Sequence, residues 1–375
     1  MKAVYEGYGK DFTQVDWDTP DWEMLSKLTQ NVFQFSSAKC YQELNDITQL
    51  LKDENGRLRE FNDFKEAVEQ LDVKYNRTWL ETEYNTAVGS ATTAARWTEF
   101  RKEKKYFPIL QYQTVGDDKV RQDHAVLNGV KKHLDNEFWK TYYPPNGWNC
   151  RCEAIQLPDA EAKETPEELI KLPGVQSMFR TNLAESGLIF PKGHPYYNGV
   201  PEDVVRRSLQ YIPEKAAYKI ETTESGKSYS EHILLQWDKE AHKSRKGAKI
   251  LCENGFTDVK LFPQIHAKEP AAREKIYGKS YAKKHPTKCP DGFAGGEPIE
   301  IKEAGRKKMS LRVLKASEQA DVVLLICKNN LTQNKVERFV NGQWNLDDRK
   351  NIKKIMIFNN EKLQIFTRPK KAKAK

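Results

Sequence analysis

The 375 residues exceed one ordinary domain and predict two or three. Hydrophobic content of 38% beside 31% charge excludes a helical membrane protein and a disordered chain, and no apolar run approaches the ~20 residues of a membrane helix. The net charge of +9 is uneven: residues 301–375 hold 19 Lys/Arg against 7 Asp/Glu, or +12, while the rest holds 43 against 46, or −3. That imbalance predicts a polyanionic partner, most simply nucleic acid, for the C-terminal part.

The opening "MKAVYEGYGKDF" lacks the charged-then-apolar pattern of a secretory signal, so synthesis and first folding in a cytoplasm are expected. Residues 20–105 read as helices. "DTPDWEMLSKLTQNVFQF" starts on Thr-Pro, and "CYQELNDITQLLKDE", "FNDFKEAVEQL" and "NRTWLETEYNTAVGSATTAARWTEFRKEK" follow at helical spacing. Shorter pieces with Pro, Gly and paired tyrosines run to about 153. Residues 158–205, with "LPDAEAKETPEELIKLPG" near their start and "FPKGHPYYNGVPED" near their end, read as a linker. From Gly226 to Gly255 a helical region stops at Asn254-Gly255. "FTDVKLFPQ" and "EPIEIKEA" read as strands, "MSLRVLKASEQA" as a helix, and "DVVLLIC" as a buried central strand. "VERFV" and the hairpin "KIMIF…KLQIF" read as closing strands. The expected class is α+β and multidomain: a largely helical domain over 1–157, the linker 158–205, a small α/β domain with a mixed sheet over 206–370, and a basic tail at 371–375.

Two constellations carry chemistry. Around "TVGDDKVRQDHAVLNG" and "PPNGWNCRCEAIQL", His124, Cys150 and Cys152 could hold zinc, with Asp123 or water as the fourth ligand. The bland alternative is two buried thiols and a histidine bonded to backbone. Six scattered cysteines make a disulfide framework unexpected.

These two segments resemble the phage Mu F-like minor head protein family, the head morphogenesis domain. The resemblance rests on Tyr112, Thr114, Asp117, Arg121, His124, Leu127, Gly129, Trp139, Pro144, Pro145, Trp148, Cys150, Arg151 and Cys152, and covers roughly 70–157. It implies a minor protein of a tailed-phage or prophage head, made in the bacterial cytoplasm, with portal and head proteins as partners and no membrane. It implies no catalysis.

The second constellation is "PDGFAGGEPIEIKEAG". Glu300 and Lys302 are two apart on a strand and share a face, and the glycines return the chain past Asp291. Metal-assisted phosphodiester hydrolysis needs carboxylates for a hard divalent cation, here magnesium on Asp291 and Glu300, with a cationic or basic group beside them, here Lys302. The pattern resembles the nuclease domains at the tips of contact-dependent inhibition toxins, with a Pro-Asp…Glu-x-Lys core. Ala248, Ile250, Leu251, Asn254, Gly255, Phe256, Pro290, Asp291, Ile299, Glu300, Lys302, Gln319 and Ala320 carry that resemblance. Where those domains carry an acidic residue, this chain has Ser244, with Glu240 or Glu231 as substitutes. Lys279, Lys283, Lys284, Lys307 and Lys308 are candidates for nucleic-acid contact.

The joined expectation is a phage or prophage minor head protein carrying a nuclease effector that cuts DNA or tRNA, with an immunity protein as a further partner. The alternatives are a metal-independent ribonuclease of the barnase, EndoU or RelE type using His232, His242 or His266, and a non-catalytic DNA-binding head protein.

Overall fold

The computed structural model describes residues 1–73, 75–76, 79–158 and 162–369. It divides into two compact units, Met1–Ala216 and Ala217–Lys375. With a mainly helical first unit and a mixed sheet in the second, the class is α+β as expected.

The first unit opens with α1 (Lys2–Tyr8) and α2 (Pro20–Gln49). Two helices expected from the sequence merge in α2, because no Gly or Pro interrupts it. Thr19 caps it by accepting the Trp22 N–H, Pro20 occupies its first turn, and Asp21 and Glu23 sit at the positive end of its dipole. α3 (Phe61–Val73) and α4 (Leu80–Glu103) follow. The buried face of α4 is built from small residues, Ala87, Ser90, Ala91 and Ala94, so other elements approach its backbone closely. At Gly7 of α1 a Cβ would lie 2.2 Å from the Val88 carbonyl oxygen, so only glycine fits. β1 (Ile109–Gln113), α5 (Gln122–Ala125), β2 (Lys131–His133), α6 (Phe138–Tyr142) and β3 (Glu153–Gln156) complete the core of this unit. The three strands form an antiparallel sheet in the order β2-β1-β3.

The described part of 158–205 is not a linker. Val175, Phe179 and Leu183 are buried together against Tyr142 and Trp148. Asn31 of α2 accepts the N–H groups of Ile189 and Phe190 at 2.9 and 2.8 Å and donates to the Phe190 carbonyl. Its prolines and glycines prevent long elements, but not burial. The helical turns here are α7 (Leu183–Ser186), α8 (Glu202–Ser208) and α9 (Glu214–Ala217), and the division between units falls after 216 instead of 205.

The second unit is built on an eight-stranded mixed sheet among the described residues. Its strands are β4 (Tyr218–Thr222), β5 (Ser228–His232), β6 (Lys260–Leu261), β7 (Gly292–Ala294), β8 (Glu297–Ala304), β9 (Val322–Cys327), β10 (Lys354–Asn359) and β11 (Lys362–Thr367), hydrogen-bonded in chain order. β8, β9 and β10 are parallel, and the apolar run of β9 is covered on both faces. α10 (Ala241–Glu253) packs on one face, while α13 (Met309–Ser317) and α14 (Gln333–Trp344) pack on the other. α11 (Pro270–Tyr277) and α12 (Lys279–Lys284) fill the stretch before β7.

Two expectations fail here. "VERFV" lies inside α14, because Val336 and Val340 are four apart and bury one helical face. The region from Gly226 is not one helix: its first part pairs as β5 with β4, a 3-10 turn spans Ile233–Trp237, and the α-helix starts only at Ala241. The tail 371–375 lies outside the described residues. No helix among the described residues is long and apolar enough to cross a membrane.

Candidate functional site

In the second unit Asp291 stands immediately before β7, where the pairing of β7 with β8 ends. Its Oδ2 accepts the Ile301 N–H at 2.8 Å, and its Oδ1 accepts from the Ser244 hydroxyl of α10 at 3.3 Å. Glu300 lies one residue earlier on β8. Its Oε1 accepts from the Lys302 ammonium and from Gln319 Nε2. Its Oε2 is buried without a hydrogen-bond partner. The strand thus brings Asp291, Glu300 and Lys302 together, as the spacing predicts. Both acids are buried, Glu300 at 2% exposure.

Burial raises the Glu300 carboxyl above the ordinary carboxylate range, and together with the charge of Asp291 it outweighs the pull of Lys302 and Lys243. The sequence reading missed Lys243 of α10 as part of this centre. Burial pulls its ammonium down, but Asp291, Glu240 and Glu300 outweigh that and hold it above its ordinary value. It could be found by placing Ser244 on its helix and asking which neighbour also looks at the sheet. Tyr281 of α12 was missed as well. Burial and the charge of Glu300 raise its phenol, whose Oη donates to the Gln319 carbonyl at 2.6 Å.

Glu240 does not take the place of an acid on α10. Its side chain is 80% exposed and reaches Lys243, because it stands at the helix entrance one turn before Ser244. Glu231 is fully buried but committed to Arg245 at 2.6 and 2.7 Å. Lys279, Lys283 and Lys284 are exposed on α12, beside the centre through Tyr281, and Lys284 is paired with Asp321. Lys307 and Lys308 are exposed in the turn that follows the C-terminal end of β8, an end about 13 Å along the strand from Glu300.

The three histidines do not form an acid–base pair. His232 is buried, accepts the Leu234 N–H through Nδ1, and is pushed down to about 3 by burial, with the charge of Lys275 adding to it. His266 accepts the Lys268 N–H, and His242 sits by the Lys239 carbonyl.

In the first unit the other constellation also converges. His124 Nδ1 lies 3.6 Å from Cys150 Sγ and 3.6 Å from Cys152 Sγ. All three donor atoms fall within 4.8 Å of one another, and neither cysteine is in a disulfide. The turn that carries His124 closes at Gly129, whose φ of +83° suits glycine and whose N–H reaches the Tyr112 carbonyl. Arg151 grips Asp117 with two bonds of 2.7 and 2.8 Å, and Tyr112 donates to Asn146. Trp139 and Tyr143 are buried beneath, and the Pro144–Pro145 bond is cis. Asp123 is exposed and is not among the converging groups.

Residues 44–155 match the family model described as phage Mu protein F like protein. The putative capsid assembly protein F of Escherichia phage Mu is 40% identical over 85 residues, 23% of this chain and 19% of that protein. The Mu-like prophage FluMu F protein of Haemophilus influenzae is 33% identical over 106 residues, 28% of this chain and 22% of that protein. The chain therefore spans about a fifth of the length of the curated relatives it matches. No solved structure matches it. The match covers the small sheet, the His124 turn and the two cysteines, and extends into α2 and α3. Over residues 44–155 the chain is similar to the phage Mu protein F like family.

Proposed function

We propose that the chain is a minor head protein of a tailed phage or prophage whose second unit is a metal-dependent nuclease. The head assignment is supported by the family match over 44–155 and by the name of the phage Mu relative, a putative capsid assembly protein. On this reading the chain resides in the phage head with other head proteins as partners. The nuclease reading is carried by one observation: Glu300, buried beside Asp291, keeps an oxygen with no hydrogen-bond partner. A buried carboxylate left in that state is costly unless a cation meets it.

Asp291 and Glu300 would hold the divalent ion, magnesium by the hardness of its oxygen ligands. When bound, that ion supplies charge neutralisation at a phosphate and a more acidic water. Lys302, already against Glu300 Oε1, is placed to position or deprotonate the attacking water and to balance charge in the transition state. Ser244 orients Asp291, and Gln319 orients Glu300. The lysines of α12 supply contacts to the phosphate backbone of DNA or tRNA. An immunity protein covering this face in the producing cell belongs to the same reading.

The purified full chain should cleave nucleic acid with magnesium and stop in chelator. Asp291→Ala and Glu300→Ala should lose cleavage and magnesium binding together. Lys302→Ala should keep the metal and lose about 10²–10⁴-fold in rate. Cleavage that persists in chelator would return the histidines to consideration. Salt-sensitive binding without any cleavage by the parent would favour a head protein that only holds packaged DNA.

A further inference from the structure

The thiol–imidazole cluster of the first unit has no role in the nuclease reading, and its geometry is specific. With Zn–S about 2.3 Å and Zn–N about 2.0–2.1 Å, a tetrahedral angle puts each sulfur about 3.6 Å from the nitrogen. Both observed separations are 3.6 Å. Hydrogen bonding alone accounts for this poorly. A neutral imidazole nitrogen offers one lone pair, so it accepts well from one thiol, not from two at equal distance. A metal ion between the three atoms takes a donor pair from each.

We propose that His124, Cys150 and Cys152 form a three-ligand zinc site whose fourth position is filled by solvent. Thiolate and imidazole donors select zinc over the hard ions proposed for the second unit. The ligands come from two segments: His124 from α5, after β1, and the cysteines from the stretch leading into β3. β1 is the central strand between β2 and β3. The ion therefore staples the loop on one end of β1 to its neighbour strand, in parallel with the Arg151–Asp117 pair that joins the same segments. Cys150 and Cys152 also line an open cleft with Asn149, Arg151, Thr92 and Arg96, which gives solvent access to a fourth coordination position. Three protein ligands with one open position distinguish this from a closed four-ligand structural site.

The full chain, purified without chelator, should carry about one zinc per molecule by elemental analysis. Replacement by cobalt(II) should give sulfur-to-cobalt charge transfer and the intense visible bands of a tetrahedral ion. Titration of accessible thiols should find Cys40, which is exposed, and should gain two more when zinc is removed. Cys150→Ser and Cys152→Ser should each weaken zinc retention by at least tenfold. The thiol titration needs no variant, so a misfolded substitution does not block the test. The proposal is overturned if the native chain holds no zinc and cobalt gives no sulfur charge transfer. It is equally overturned if metal is retained unchanged in both serine variants, or if chelator leaves the thiol count where it was.

Discussion

Two buried glutamates in the second unit obey opposite rules. Glu231 lies against Arg245 and Lys219, and its charge is matched. Glu300 lies buried beside another acid, and burial and that acid together outweigh its lysine. In chelator near neutral pH, Glu300→Gln should therefore stabilise the protein by roughly 1–3 kcal/mol, because it removes a charge the fold disfavours. Glu231→Gln should destabilise by about 1–3 kcal/mol. That is less than for a fully buried pair, because the Arg245 side chain is one-third exposed and reaches water. Thermal denaturation of both variants checks the pair, and equal signs would contradict the electrostatics given for Glu300. His232 gives a pH dependence. Its imidazole is held far below its ordinary value near 6.5, so the unfolded chain binds a proton that the folded one refuses. The stability it contributes is complete above about 6.5 and is lost as pH falls from there toward about 3. His232→Asn keeps an acceptor for the Leu234 N–H and should flatten that acid limb in denaturation measured across pH.

At the scale of elements, α10 sets the centre by how closely it sits on β8. A Cβ at Gly247 would come within 2.7 Å of both the Cγ2 and Cδ1 methyls of Ile301, a fully buried β-branched strand residue. Alanine favours the helix by about 1 kcal/mol over glycine, but overpacking costs about 1–3 kcal/mol. Ile301 has no room to turn, so the steric effect should win. Gly247→Ala should lower the melting temperature with helix content unchanged by circular dichroism. It should also reduce cleavage, because Lys243 and Ser244 lie one turn earlier on the same helix. Unchanged stability would mean that α10 is held less tightly than its contact with β8 requires.

Across the whole molecule, charge follows the division into units. Residues 217–375 hold 34 Lys/Arg against 19 Asp/Glu, or +15, while residues 1–216 hold 28 against 34, or −6. Polyanion binding should therefore reside in the second unit. The affinity of the full chain for nucleic acid should fall linearly with salt on logarithmic axes, with several phosphates neutralised. Truncation after residue 216 should abolish that binding. A truncated chain that still binds with the same salt slope would place the contact elsewhere.

By itself the sequence determined what local chemistry and short spacing can carry. The Thr-Pro start of α2, the two-residue spacing of Glu300 and Lys302, the unbroken apolar run of β9 and the "CRC" block all act within a few residues, where propensity and alternation are strong. The tertiary structure decided what depends on distant partners. It showed that the described part of 158–205 is packed from Val175 onward, since the anchoring Asn31 is about 160 residues away in the chain. It turned "VERFV" into a helix face, because an apolar pair four apart reads equally as a broken strand until its covering sheet is known. It exposed Glu240, committed Glu231 to Arg245, and brought Lys243 and Tyr281 to the carboxylates. Burial creates the unmatched charge of Glu300 and the equal distances around His124, and burial is a property of packing that no short stretch of sequence contains.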